Sequence, residues 1–198
     1  MKKQLESNIK NKTYVNELGE RYALAYAYLL NENFSEASRE LEWLKSKKIE
    51  NPMIDQLSIK ILIKKGDRND AYLAIKKALI KYPNYRAFVY ELANYLIEKK
   101  SVKEAVKFLQ SYTRIFQSDP KIYKLLAKAY SLNGRQLLQY ESLAESFYYS
   151  YNLQEAIVQM DMAARARDGN FYEKSRVESR LKQLQREKEI YEISKANL

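Results

Sequence analysis

The sequence lacks cysteine and histidine altogether, and its 198 residues include only four glycines and three prolines. Without cysteine there are no disulfides and no thiolate ligands, so the redox compartment stays open. Without histidine the chain lacks the commonest metal ligand and the usual general base. The sequence also shows no nucleophile paired with a base, no glycine-rich phosphate loop and no cluster of metal ligands. We therefore predict that this chain is not an enzyme and holds no cofactor.

Long hydrophobic runs are missing as well. The amino terminus, MKKQLESNIKNKTYVNEL, carries two lysines but lacks the apolar segment of a signal peptide. No stretch approaches the length of a membrane span. With 46% hydrophobic and 30% charged residues, the composition is that of a foldable globular chain. We expect a soluble chain, from which any export signal of the parent protein has been removed.

The net charge of +10 is concentrated in the middle of the chain. Between Lys60 and Arg135 there are 17 lysines and arginines against 6 aspartates and glutamates, so this part carries +11 and the remainder about −1. A basic surface favours acidic peptides, anionic lipid or nucleic acid as partners. The abundance of Lys, Ile, Asn and Tyr also fits a genome of biased composition, so both explanations stay open.

A pattern with a 34-residue period organises the sequence. In the segment GDRNDAYLAIKKALIKYP, Gly66 allows a turn, Ala71 allows close approach of two helices, and Pro83 ends the helix. Ala37 and Ala105 lie 34 residues before and after Ala71, in the similar segments NFSEASRELEWL and SVKEAVKFLQSY. This period is typical of tetratricopeptide (TPR) repeats. We therefore predict an all-α helical-repeat solenoid, a right-handed superhelix of antiparallel helix pairs.

The period changes after the third repeat. The residue 34 positions after Ala105 is Gln139, and the next alanine in a similar segment is Ala156, one and a half periods after Ala105. A half-period offset indicates a single helix, Arg135 to Ser150, that closes the fourth repeat and opens the fifth. The predicted organisation is a lead-in at 1–17, repeats at 18–51, 52–85 and 86–119, repeat helices with a half-repeat offset at 120–169, and a capping helix with a tail at 170–198.

The final helix, after Gly169, has only a partial apolar stripe that includes Val177, Leu181 and Leu184. Such a helix is predicted to cap the end of the stack, because a terminal repeat needs a polar outer face. Its last turns, after Glu187, are predicted to fray.

The first helix of each TPR pair lines the concave face, with its fifth, ninth and twelfth positions pointing into the groove. Tyrosine gives large contact area with few rotamers to freeze, and lysine neutralises carboxylates, so these positions suit an extended peptide with acidic groups or a chain terminus. The positions are counted from residues 18, 52, 86, 120 and 137. This count also reaches Ile63, Glu141 and Glu145. The predicted peptide-binding residues are Tyr22, Tyr26, Gln56, Lys60, Tyr90, Asn94, Lys124, Lys128 and Tyr148.

Alternative explanations stay open for several of these residues. Tyr22 and Tyr26 also fit ordinary core or rim positions of an aromatic-rich protein. The aromatic residues from 147 to 151 surround one helix, so some should contact the final helix or a partner domain. Glu141 and Glu145 lie one helical turn apart, and we interpret them as a solvated face and not as a carboxylate site.

The run LAESFYYSYNLQEAIVQMDMAARARDGNFYEKSRVESRLKQL resembles the closing segment of the TPR region in the β-barrel assembly-enhancing protease family, periplasmic zinc metallopeptidases of Gram-negative bacteria. The likeness extends, less specifically, over residues 20–186. In that family the peptidase is a separate amino-terminal domain with an H-E-x-x-H zinc motif, which this chain lacks. The resemblance implies the TPR portion of such an enzyme in the periplasm, with zinc only in an upstream peptidase domain.

The resemblance also implies partners, namely the outer-membrane barrel assembly machinery and its substrates, in the quality control of outer-membrane β-barrel proteins. From the residues themselves, the leading hypothesis is a noncatalytic protein–protein interaction module that binds a protein or an extended peptide, including an acidic one. The alternative is a basic helical-repeat protein that binds nucleic acid through the middle of the chain. The evidence for this alternative is the surplus of positive charge alone, because the sequence has no motifs that interleave aromatic residues with arginines.

Overall fold

The computed structural model describes residues 1–196, and all eleven elements in that part of the chain are α-helices. The predicted all-α class is therefore confirmed. The helices are α1 (Lys2–Asn11), α2 (Glu17–Leu30), α3 (Phe34–Ser46), α4 (Pro52–Lys65), α5 (Arg68–Lys81), α6 (Arg86–Glu98), α7 (Val102–Thr113), α8 (Pro120–Leu132), α9 (Gln136–Tyr148), α10 (Leu153–Arg165) and α11 (Phe171–Ala196).

Side-chain caps fix where several helices begin. The side chain of Asn16 accepts a hydrogen bond from the amide of Gly19, and Asn152 accepts one from the amide of Glu155. Such bonds satisfy amides that have no partner within the helix. Proline occupies the first position of α4 and α8, where its missing N–H costs nothing and its fixed φ suits a helix.

The helix ends repeat with the spacing of the sequence pattern. Residues with positive φ occur at Glu32, Gly66, Lys100 and Gly134, each 34 positions after the last, and then at Tyr151, 17 positions later. At all five, the amide of the next residue donates to the carbonyl five positions before it, at 2.9 to 3.0 Å. This pattern is a Schellman turn, which ends a helix with one left-handed residue. The half-period step means that α9 ends with the turn that otherwise closes a first helix.

The chain divides into two compact units, residues 1–92 and 93–198. In the first unit α1 packs on α2, α2 on α3, α3 on α4, and α4 on α5. Its core has small residues where helices approach closely, with Ala25 and Ala37 fully buried. Larger side chains fill the space between them, among them Leu44 and Leu57.

In the second unit α7 packs on α8, α9 lies against both α8 and α10, and α11 covers α10 and touches α9. Ala105 and Ala156, the two alanines that framed the half-period offset, are fully buried. Val177 and Leu184 of α11 are also fully buried, so the apolar stripe of the last helix is used in packing. The repeat boundaries drawn from the sequence stay a prediction.

Two details at the ends of the chain add to the sequence analysis. Within the predicted lead-in, α1 is a helix docked on α2, since the hydroxyl of Tyr28 donates to Glu6 at 2.9 Å and the amide of Asn8 donates to Glu20 at 2.6 Å. The prediction that the last helix frays after Glu187 is wrong, because α11 stays helical to Ala196. Positions 197 and 198 of the predicted tail lie outside the described residues.

Candidate functional site

The second unit contains a groove of about 670 Å³ between helices α6, α8 and α9, which we call the basic groove. Three of the predicted binding residues, Asn94, Lys124 and Lys128, come together there. The groove lining consists of Asn94, Lys121, Lys124, Leu125, Ala127, Lys128, Ser131, Leu132, Gln139 and Leu143. This lining contains three lysines and no acidic side chain.

The sequence of α8 places the lysines on this groove. Ile122 and Ala129 are fully buried and fix the core face of the helix. Lys124 and Lys128 lie one turn apart on another face and are exposed. Within residues 1–196 neither Lys124 nor Lys128 has a carboxylate within ion-pair distance, so both charges are available to a ligand.

The floor between the lysines is apolar. Leu125 is nearly buried, whereas the side chain of Leu132 is 57% exposed at the end of α8. The amide of Asn94 can both donate and accept hydrogen bonds, as a peptide backbone requires. Lysines beside an aliphatic floor suit a segment that carries carboxylates and apolar side chains.

A smaller groove of about 230 Å³ lies in the first unit between α2 and α4. It brings together the predicted residues Tyr26 and Lys60, with the ammonium of Lys60 5.7 Å from the centroid of the Tyr26 ring. Glu32 and Glu91 also line it, so its charge is mixed. Mixed charge makes it less suited to an acidic ligand than the basic groove.

Other predicted residues of the first unit have structural contacts. Tyr22 and Tyr26 pack against the core cluster of that unit. Burial, with smaller effects from Tyr85 and Tyr26, raises the pKa of Tyr22 above its ordinary value. The side chain of Gln56 accepts a hydrogen bond from the hydroxyl of Tyr85 at 3.1 Å. Tyr90 is half-buried on α6.

Tyr148 does not join the basic groove. The guanidinium of Arg180 on α11 lies 4.4 Å from the centroid of its ring, and burial, followed by a hydrogen bond with Glu187, raises its pKa. Its neighbour Tyr149 stacks on Tyr123 of α8 with 5.3 Å between ring centroids. The next aromatic residue, Tyr151, is fully exposed at the turn after α9.

The interpretation of Glu141 and Glu145 as a solvated face is wrong. Glu141 accepts two hydrogen bonds from Arg176, at 2.6 and 2.7 Å, and Glu145 accepts two from Arg180, at 2.8 and 3.0 Å. Only 17% of each glutamate side chain is exposed. Their one-turn spacing matches the one-turn spacing of the two arginines, so these glutamates bind α11 to α9 and are not free for a ligand.

Sequence reasoning missed Gln139 and Leu143, which contribute the α9 side of the basic groove. They lie one turn apart, two positions before Glu141 and Glu145. Two positions correspond to about 200° around a helix, so the two pairs lie on opposite faces. The signal available in the sequence was the spacing of Arg176 and Arg180, which pairs with the glutamates and indicates which face of α9 meets α11.

Residues 1–196 contain no group of three or more Asp or Glu side chains that could hold a metal ion. Over the same residues, no helix combines the length and the apolar character that a membrane crossing requires.

Residues 62–129 match the family described as Tetratricopeptide repeat. Over 184 residues the chain is 26% identical to the Beta-barrel assembly-enhancing protease of Yersinia pestis, covering 92% of this chain and 38% of that protein. This chain thus spans well under half the length of that relative.

Solved structures share the fold. MamA from Desulfovibrio magneticus RS-1, from residue 41 to its end, is 19% identical with a TM-score of 0.57, covering 88% of this chain and 98% of that one. A tetratricopeptide repeat protein from Parabacteroides merdae is 13% identical with a TM-score of 0.56, covering 95% and 80%. A thermophilic TPR protein of Thermus thermophilus is 17% identical with a TM-score of 0.51, covering 82% and 97%.

Proposed function

Since the chain folds as a tetratricopeptide-repeat domain, we propose that it is a noncatalytic protein-interaction module whose basic groove binds an extended, acidic segment of a partner protein. The observation that carries the proposal is the meeting of Asn94, Lys124 and Lys128 in one groove with an aliphatic floor and no acidic side chain. A carboxylate entering this groove gains Lys124 and Lys128 as partners without displacing an ion pair of either lysine.

The test uses a fluorescein-labelled peptide that alternates glutamate with leucine, and the same peptide with glutamine in place of glutamate. Fluorescence anisotropy should show tighter binding of the glutamate peptide. The double variant Lys124→Glu with Lys128→Glu should weaken that binding about tenfold or more, because it removes two attractions and adds two repulsions.

A matched control is available on α7 of the same unit. Lys103 and Lys107 are also exposed and one turn apart, but neither lines the basic groove. Lys103→Glu with Lys107→Glu therefore makes the same change in net charge and should leave peptide affinity close to wild type. Equal losses in both double variants would mean that net charge, and not the groove, controls binding.

We further propose that the chain serves as the docking and substrate-holding part of a longer periplasmic zinc metallopeptidase that acts on outer-membrane β-barrel proteins. Support comes from the 26% sequence identity to the Yersinia pestis protein, of which this chain covers 38%. In that case the peptidase domain would hold the zinc, and the partners would be the barrel assembly machinery and its substrates. The complete reading frame tests the idea: it should encode a signal peptide and an H-E-x-x-H motif upstream, and a frame with neither would contradict it.

The basic charge of the middle of the chain supports a second candidate, binding of nucleic acid. Phosphate contacts release counterions, so this function predicts an affinity for single-stranded RNA or DNA that falls steeply with salt. Absent binding, or binding with a flat salt response, would rule it out.

A further inference from the structure

Helix α5, in the first unit, has apolar side chains on its outer face as well as on its core face. Leu73 and Ile80 are 63% and 84% exposed, and Ile80 is more exposed than any other Leu, Ile, Val or Met of the helices within residues 2–195. They lie seven positions apart, which is about two turns, and therefore share one face. Lys76 and Lys77 lie between them and are exposed. We call Leu73, Lys76, Lys77 and Ile80 the α5 strip.

The core of the first unit does not use the α5 strip. Ala71, Ile75 and Ala78 form the core face of α5, and they are between 0% and 5% exposed. These three residues supply the contacts that hold the helix in place. Folding of the helix therefore does not explain why Leu73 and Ile80 are apolar.

The corresponding helices of the neighbouring repeats are polar at the same positions. Thirty-four residues before Leu73 and Ile80 are Arg39 and Ser46, and thirty-four after them are Lys107 and Arg114. All four of these residues are exposed. In the two neighbouring repeats the outer positions are thus polar, and α5 differs from both. In α10, where Ala156 corresponds to Ala71, the counterpart of Leu73 is the less exposed Val158, at 41%, and the counterpart of Ile80 is Arg165.

The surroundings of the α5 strip are basic and contain further apolar side chains. From Lys60 to Lys81 the chain has seven lysines and arginines against two aspartates, a net charge of +5. An ion pair of 2.9 Å between Lys81 and Glu50 holds the end of α5 beside the connection between α3 and α4. That connection carries Ile49, 45% exposed, and leads to Met53, 46% exposed.

We propose that the α5 strip docks on the surface of an anionic lipid bilayer. Leu73 and Ile80 would enter the boundary between headgroups and acyl chains, while Lys76 and Lys77 would contact the negatively charged headgroups. Interfacial helices combine aliphatic residues on one face with lysines whose charged ends reach the headgroups. Each lysine near an anionic surface adds to the attraction.

Charge and shape favour lipid over other occupants. A second copy of the chain would bring the same lysines against each other, and each chain carries a net charge of +10, so self-association through this strip is opposed. A side chain that is 84% exposed, as Ile80 is, has few protein atoms around it. A deformable bilayer can cover such a surface, whereas a folded protein would have to supply a matching cavity.

The test measures sedimentation of the full chain with vesicles of phosphatidylcholine, with and without phosphatidylglycerol. The protein should bind the vesicles that contain phosphatidylglycerol, and bind less at high salt. Leu73→Ser with Ile80→Ser, and separately Lys76→Gln with Lys77→Gln, should each weaken binding about tenfold or more. Because all four side chains are exposed, the variants should keep the wild-type circular dichroism spectrum.

The control replaces two exposed isoleucines elsewhere in the chain. Ile190 and Ile193 of α11 are 66% and 62% exposed, and acidic residues lie next to them at Glu189 and Glu192. Ile190→Ser with Ile193→Ser should leave vesicle binding unchanged. A wild-type chain that does not sediment with anionic vesicles would overturn the lipid proposal, and so would α5-strip variants that bind like the control.

Discussion

Replacing Gly169 with alanine should destabilise the unit 93–198 by about 2 to 4 kcal/mol. Gly169 lies in the turn between α10 and α11 and has a φ of +97°. A Cβ at this position would lie 2.5 Å from Cδ1 of Leu137, which is fully buried and cannot move into solvent. The substitution therefore combines an unfavourable backbone conformation with overpacking.

The two contributions can be separated with Gly134. This glycine has a φ of +67°, but a Cβ there would meet no atom within 4 Å. Gly134→Ala carries the conformational cost of about 1 to 2 kcal/mol, offset in part by the lower entropy of the unfolded chain, for a net loss of about 1 kcal/mol. Overpacking at Gly169 should add about 1 to 3 kcal/mol.

Urea unfolding followed by far-ultraviolet circular dichroism measures both variants, with an unchanged slope as the check that only stability has changed. A double-mutant cycle sharpens the test. In a Leu137→Ala background the clashing methyl group is gone, so Gly169→Ala should cost only about 1 kcal/mol, like Gly134→Ala. Equal destabilisation by the Gly134 and Gly169 single variants would refute the contact with Leu137.

Three further outcomes are expected. Burial, followed by the hydrogen bond to Glu6, raises the pKa of Tyr28 to about 12 from its ordinary 10.0. The contribution of Tyr28 to the free energy of unfolding is therefore complete below about pH 10 and is lost as the pH rises towards 12. The stability difference between wild type and Tyr28→Phe should therefore shrink above about pH 10; a constant difference in urea midpoint would contradict this. Lys100→Gly should stabilise the chain by about 0.5 to 1 kcal/mol, because φ is +60° there, and an unchanged melting temperature would count against it. Gly19→Ala should raise the melting temperature and stabilise the fold by about 0.4 to 1 kcal/mol. Gly19 lies in α2 without positive φ, and a Cβ there would make only ordinary contacts. A lower melting temperature would show that the site is strained.

The helices could be predicted from the sequence because local signals and the period agreed. Pro52 lies at the first position of α4 and Gly66 at its end, and both are signals that need no reference to the rest of the chain. The alanines at 37, 71 and 105 indicated the close contacts, and all three are at most 1% exposed. Such features depend on a few neighbouring residues and on backbone sterics, which a sequence displays directly.

The groove was only partly predictable, since position within a repeat specifies a surface only while the repeat stays regular. In α8, Lys124 and Lys128 line the basic groove at the fifth and ninth positions. In the first unit, Tyr26 and Lys60 line their groove at the ninth position of repeats one and two, counted from residues 18 and 52. The rule fails in α9, where the fifth and ninth positions counted from Leu137 are Glu141 and Glu145, which contact α11 instead.

The failure in α9 has a physical cause in the half-period offset. The regular second helix α3 packs on two helices, α2 and α4, whereas α9 lies against α8 and α10 and is also contacted by a third helix, α11. Its end is the Schellman turn that closes a first helix, at Tyr151. With three neighbours, one face of α9 goes to the α11 arginines, and the opposite face, with Gln139 and Leu143, is left for the groove. The half-period offset in the sequence is thus what gives the basic groove its second wall. Substitutions at Gln139 and Leu143 should therefore change peptide affinity, whereas substitutions at Glu141 and Glu145 should weaken the docking of α11.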